Sequence, residues 1–76
     1  MNQNIYRTKD LAEAAALIVE GQSLIKIERE QGICWFVFDN KNICESLSNK
    51  FFFGGLMINA REYSNTMKLL KGRIFS

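Results

Sequence analysis

The hydrophobic and polar positions of this chain fall into runs of different rhythm. Ile5-Tyr6-Arg7 is a short β-prone piece, long enough for a small edge strand. From Asp10 to about Glu20 the rhythm is helical: Leu11, Ala14, Ala15 and Ile18 recur at i, i+3, i+4 and i+7. Ala12 and Val19 widen that face, and Glu13 and Glu20 lie opposite it, where water is expected. Thr8 reads as the N-cap with Asp10 in the first turn, and Gly21 as the residue after the helix. Ser23 to Glu30 alternates as a strand, with Ile25 and Ile27 pointing one way and Lys26 and Glu28 the other. Gln31-Gly32 supplies a tight turn, and Ile33 to Asp39 returns as a second strand, which makes a β-hairpin.

That second strand breaks the half-buried pattern. Ile33, Trp35 and Val37 share one face, Cys34, Phe36 and Phe38 the other, and both sets are apolar. Such a strand is either central and covered on both sides, or leaves one side for a partner. The alanine-rich first helix is one candidate cover. The second is a later helix, capped by Asn59 with Glu62 three residues on, whose Tyr63, Met67, Leu70 and Ile74 form one apolar face.

Between them lies a helix started by Asn40 or Asn42, with Asn42 and Glu45 at capping-box spacing, and ended by Gly54-Gly55. Its expected inward stripe is Ile43, Leu47 and Phe51. Phe52 points about 180° from Ile43 and cannot share that stripe. Leu56-Met57-Ile58 is an apolar bridge with strand character, and Gly72 should weaken the last turn of the final helix. The order β-α-β-β-α-α predicts a single small α+β domain over residues 1–76, with an antiparallel, hairpin-based sheet packed against helices and residues 1–4 loose. The pattern leaves open whether Ile5-Tyr6-Arg7 joins the sheet; a third strand would support a hairpin that is marginal alone.

Composition narrows the class. With 76 residues the chain forms one domain, and 47% hydrophobic content is too much for a disordered one. The charge of +2 is a weak basic excess for a dedicated nucleic-acid binder. Cys34 and Cys44 sit in or beside apolar runs and read as buried, reduced thiols. With no leader-like start and no run near the ~20 apolar residues of a membrane span, the expected location is the cytoplasm.

Tyr6-x-Thr8-x-Asp10-Leu11-x-x-Ala14-Ala15-x-Leu17, then Gly21, Phe36-Val37-Phe38, Tyr63, Leu70-Lys71 and Ile74-Phe75 span nearly the whole chain. This pattern resembles a family of small bacterial, archaeal and phage proteins classed as a domain of unknown function. The resemblance implies one compact domain and a mobile-element setting. It carries no activity, cofactor or site residue. Phe51-Phe52-Phe53 departs from it in being unusually aromatic.

The chain has no histidine, which removes Ser-His and Cys-His pairs and the commonest metal ligand. The cysteines lack CxxC spacing, and Gly54-Gly55 fits no phosphate-binding loop. Glu28 and Glu30 share a strand face and read as solvated. The expectation is therefore a non-enzymatic protein without cofactor, metal or small-molecule substrate, acting by binding. A protein partner, foreign or a second copy, is favoured, through Trp35, Phe52 and Phe53. In the mobile-element setting a host factor that the protein inhibits would suit. The alternative is a nucleic acid, held by Arg61, Asn65, Lys68, Lys71 and Arg73 on the last helix.

Overall fold

The computed structural model describes residues 4–75. Three strands and three helices follow the expected order: β1 (Ile5–Thr8), α1 (Leu11–Val19), β2 (Leu24–Glu30), β3 (Ile33–Asp39), α2 (Lys41–Phe53) and α3 (Ala60–Ile74). The strands form one antiparallel sheet in the order β1-β3-β2. The open question about Ile5-Tyr6-Arg7 is thus answered: the segment pairs with β3, and β3 becomes the central strand. Of the residues expected to be loose, 1–3 lie outside the described residues. Asn4 itself is tied down, its side-chain oxygen accepting from the Lys41 backbone N–H at 3.2 Å.

The hairpin is closed by a two-residue turn in which Gln31 and Gly32 both have positive φ, 51° and 81°. Such a turn matches the right-handed twist of the flanking strands, and glycine takes its second position without a Cβ penalty. One residue departs from alternation. Leu24 lies opposite Phe38 but Lys26 lies opposite Val37, so Ile25 is a bulge. The expected pairing of Ile25 with Ile27 on one face is thereby overturned. Leu24 and Ile27 pack on the core, and Ile25 is 50% exposed.

Cross-strand register sorts the sheet into two faces. Thr8, Phe36 and Ile27 form one row; Arg7, Val37 and Lys26 form the next, pointing the other way. All three helices lie on the Phe36 side. Ala14, Ala15 and Leu17 of α1, Cys44 of α2 and Leu70 of α3 close around Phe36 and Phe38. The molecule measures 32 × 31 × 18 Å. Its short axis has room for one sheet and one layer of ~10 Å helices, so among the described residues no helix covers the second face of β3. The two candidate covers, α1 and α3, pack on the same face and against each other.

Local chemistry explains the helix ends and corrects several of them. Asp10, not Thr8, is the N-cap of α1, its carboxylate accepting from the Glu13 N–H at 3.0 Å. Thr8 is the last residue of β1, its hydroxyl accepting from the Asp10 N–H. The small side chains at Ala14 and Ala15 let α1 sit close on the sheet, and Ala16 and Leu17 are buried beside them, while Ala12 and Val19 are half-buried. Asn40 enters α2 through the left-handed region without a side-chain cap bond, and Asn42 lies inside the helix, so the Asn42–Glu45 box does not form. In α2 the inward stripe is Cys44, Leu47, Ser48 and Phe51; Ile43 is 47% exposed, about one residue's rotation from where it was expected. Residues 55–59 form a connecting loop without strand structure. Asn59 caps α3 by accepting from the Glu62 N–H, and the helix runs through Gly72 to Ile74.

Candidate functional site

The C-terminal end of α2 and the loop after it carry the two most exposed large apolar side chains among the described residues, Phe53 and Met57; Phe75, just past α3, is 82% exposed. Phe51 turns inward and is half-buried, and its ring meets Phe52 edge-on at 5.1 Å between centroids. Phe52 is 56% exposed, as its helical angle requires. Phe53 is 86% exposed and Met57, in the loop after Gly54-Gly55, 91%. Gly54 ends the helix in the left-handed conformation directly behind Phe53, so the chain turns away before another side chain can cover the ring. Sequence reading put Met57 in a bridging segment and missed it as a surface residue.

Trp35, grouped with these phenylalanines beforehand, is elsewhere. It lies on the sheet face opposite the helices, so the structure does not unite the three residues into one surface. Nor is Trp35 open. The Arg7 guanidinium stacks over it, 4.7 Å from the ring centroid. The same guanidinium meets Glu28 at 3.2 Å and Glu30 at 2.8 Å, and Lys26 meets Glu28 at 3.2 Å. Glu28 and Glu30 are thus partners of a charged lattice rather than simply solvated. Val37, flanked by Arg7 and Lys26 in register, is only 3% exposed although no helix covers it.

The helix layer holds a polar centre that the sequence pattern misassigned. Glu13, expected in water, is 4% exposed. The Tyr6 hydroxyl donates to one of its carboxylate oxygens, and the Thr8 hydroxyl donates to the other at 2.7 Å. Burial, then the bond to Glu13, pushes the Tyr6 hydroxyl up to about 12, with Ser48 opposing in part. Burial, reinforced by the charges of Glu13 and Asp39, pushes the Cys44 thiol up to about 11. Cys44 donates to the Asp39 carbonyl oxygen at 3.2 Å, whereas Cys34 is half-buried; both are free thiols. A thiol held this way is protonated at neutral pH and makes a poor nucleophile. Tyr6 and Thr8 sit two apart on one strand, and Glu13 lies one turn into the helix that follows. That spacing is the one sequence signal for the cluster.

Arg61, Asn65, Lys68 and Lys71 are exposed along the solvent side of α3. Arg73 is exposed at a different place, on the rim of a groove between α3 and β2, where its carbonyl oxygen accepts from Arg29 at 3.1 Å. That groove, about 710 Å³, has Ile18, Leu24, Ile27 and Leu70 in its floor and Ile25 and Leu69 beside it. Leu69 is 71% exposed. It lies ~130° from the middle of the Tyr63-Met67-Leu70-Ile74 stripe, so helical angle alone turns it out of the core. Among the described residues no acidic one lines the groove; Arg29 and Arg73 do, and Lys26 borders it from the strand while its ammonium pairs with Glu28 on the outer face. Among the described residues, no group of three or more His, Cys, Asp or Glu side chains could hold a metal ion. No helix there is long and apolar enough to cross a membrane. Compared with known proteins, the chain matches no family model, no curated protein and no solved structure.

Proposed function

We propose that this chain is a non-enzymatic binding module whose partner is a protein, held at the C-terminal end of α2. The observation that carries the reading is the exposure of Phe52, Phe53 and Met57 side by side in sequence around the Gly54-Gly55 turn. A small domain gains stability from burying large side chains, and aromatic residues and methionine are the types enriched at interface centres. Phe53 and Met57 contribute almost nothing to the core of this monomer. The uncharged Cys44 and the lack of histidine support a role without covalent or acid–base chemistry. In the mobile-element setting implied by the resemblance, a host protein is a suitable partner.

A photo-reactive phenylalanine analogue at position 53 tests this reading in the cells that make the protein. The expected result is one discrete cross-linked protein, lost when Phe52→Ser and Met57→Ser are introduced. Absence of a protein adduct, or adducts indifferent to those substitutions, would remove the reading. Exposure of Arg61, Asn65, Lys68 and Lys71 together favours a second reading, a nucleic acid lying along α3. It requires affinity for a mixed oligonucleotide that falls steeply with salt and weakens on Lys68→Glu.

A further inference from the structure

We infer that β2 is the strand through which two copies of this chain pair, edge to edge, about a two-fold axis. The inference rests on the protein-binding reading and names one partner at a surface separate from the α2 end. β2 is the last strand of the sheet, so its outward backbone groups face away from β3. The bulge at Ile25 leaves Lys26 to Glu30 as a regular run.

Two antiparallel copies of one strand, related by a two-fold axis normal to the sheet, place residue i opposite j with i + j constant and even. The registers can therefore be tried one by one. Centring on Lys26 sets lysine against lysine. Centring on Glu28 pairs Lys26 with Glu30 twice but sets glutamate against glutamate on the axis itself. Centring on Arg29 sets arginine against arginine and Glu28 against Glu30. Centring on Ile27 alone sets opposite charges together with no like-charge pair: Lys26 lies opposite Glu28 twice, Ile27 meets its own copy on the helix side, and Arg29 and Glu30 fall opposite the apolar Ile25 and Leu24 at the bulge. Opposite charges directly across a strand pair stabilise it, and like charges oppose it.

The rest of the surface fits this register. Lys26 and Glu28 already meet at 3.2 Å on the outer face, with their side chains 59% and 35% exposed, so a second pair extends an existing lattice. On the helix side, the groove between β2 and α3 exposes Ile25 and Leu69. A second copy would bring Ile27, and with it the same apolar wall, to that groove. The product is a six-stranded sheet in the order β1-β3-β2-β2-β3-β1, with the helices of both copies on one side.

Sedimentation velocity on Lys26→Glu, Glu28→Lys and their equimolar mixture tests the register. The wild-type chain should sediment as a dimer at micromolar concentration. Each single variant faces like charges across the axis and should dimerise at least about tenfold more weakly. Mixed, the two variants restore both opposite-charge pairs and should form a heterodimer. Both substituted side chains lie on the outer face, and circular dichroism of each variant should match the wild type. A wild-type chain that stays monomeric, single variants that dimerise like the wild type, or a mixture that stays monomeric would each overturn the inference. Cross-linking from position 53 is unaffected by these outcomes, so failure here and failure of the α2 surface are distinguishable. A monomer whose groove instead takes an acidic strand peptide would identify a foreign partner and equally overturn the pairing.

Discussion

The two faces of β3 look alike in sequence and are built differently. Phe36 and Phe38 on the inner face are 1% and 0% exposed, packed by side chains from all three helices. Val37 on the outer face is 3% exposed with no helix above it. Its cover comes from the neighbouring strands, where Arg7 and Lys26 flank it in register and Arg7 lies across Trp35. A strand that is apolar on both sides therefore does not demand two layers. Long charged side chains with apolar stems cover the middle of the second side, while Ile33 at its end stays 38% exposed, and a single sheet with one helix layer suffices for a domain of this size. The two covers differ in strength. The inner one rests on close packing, the outer one on exposed ion pairs that are each worth only ~0–1 kcal/mol.

The comparison breaks most visibly in paired truncations. Phe38→Ala should cost about 3–5 kcal/mol, because it removes a fully buried ring and leaves a cavity. Val37→Ala should cost about 1–2 kcal/mol, since two methyl groups are lost from a site that mobile side chains can refill. Urea denaturation of both variants checks the order. Equal costs would mean that the outer face is as tightly packed as the inner.

A smaller effect sharpens the polar part of the inner layer. Glu13→Ala leaves two hydroxyls without their acceptor and should cost about 2–3 kcal/mol. The sign of the pH dependence follows from the raised Tyr6 and Cys44. The unfolded chain loses these protons near 10.0 and 9.0, and the native chain holds them to about 12 and about 11. Above pH ~9 the native state thus binds more protons than the unfolded state, and stability falls as pH rises from there to about 12. Denaturant midpoints measured across that window should decline, and Tyr6→Phe should flatten the upper part of the decline.

Element order and the antiparallel hairpin were legible from rhythm alone, because Asn59, Gly21, Gly32 and Gly54 punctuate it with specific backbone chemistry. Three things were hidden, each for its own reason. The bulge at Ile25 shifts the alternation by one residue, and nothing in Leu24-Ile25-Lys26-Ile27 announces it. The inward stripe of α2 starts at Cys44 rather than Ile43, since Tyr6, the buried Glu13 and Ser48 make a polar niche that tolerates a thiol and a serine. Glu13 itself was placed in water by helical angle, but its hydroxyl partners come from β1, a tertiary contact outside the helical pattern. Of the candidate contact residues, Phe52 was legible from its angle on α2. Met57 was not, because an apolar triplet between two helices says nothing about which side chain the turn will expose. Trp35 was grouped with Phe52 by residue type, and the fold separates them.

Trp35 is the one tryptophan of the chain, which gives the outer face its own reporter. Acrylamide quenching of its fluorescence, compared between wild type and Arg7→Ala at matched circular dichroism, tests most directly whether side chains alone close that face. The Stern–Volmer constant should rise clearly in Arg7→Ala, as the ring loses the guanidinium that lies over it. An unchanged constant in a folded variant would contradict this and show that something other than Arg7 covers Trp35.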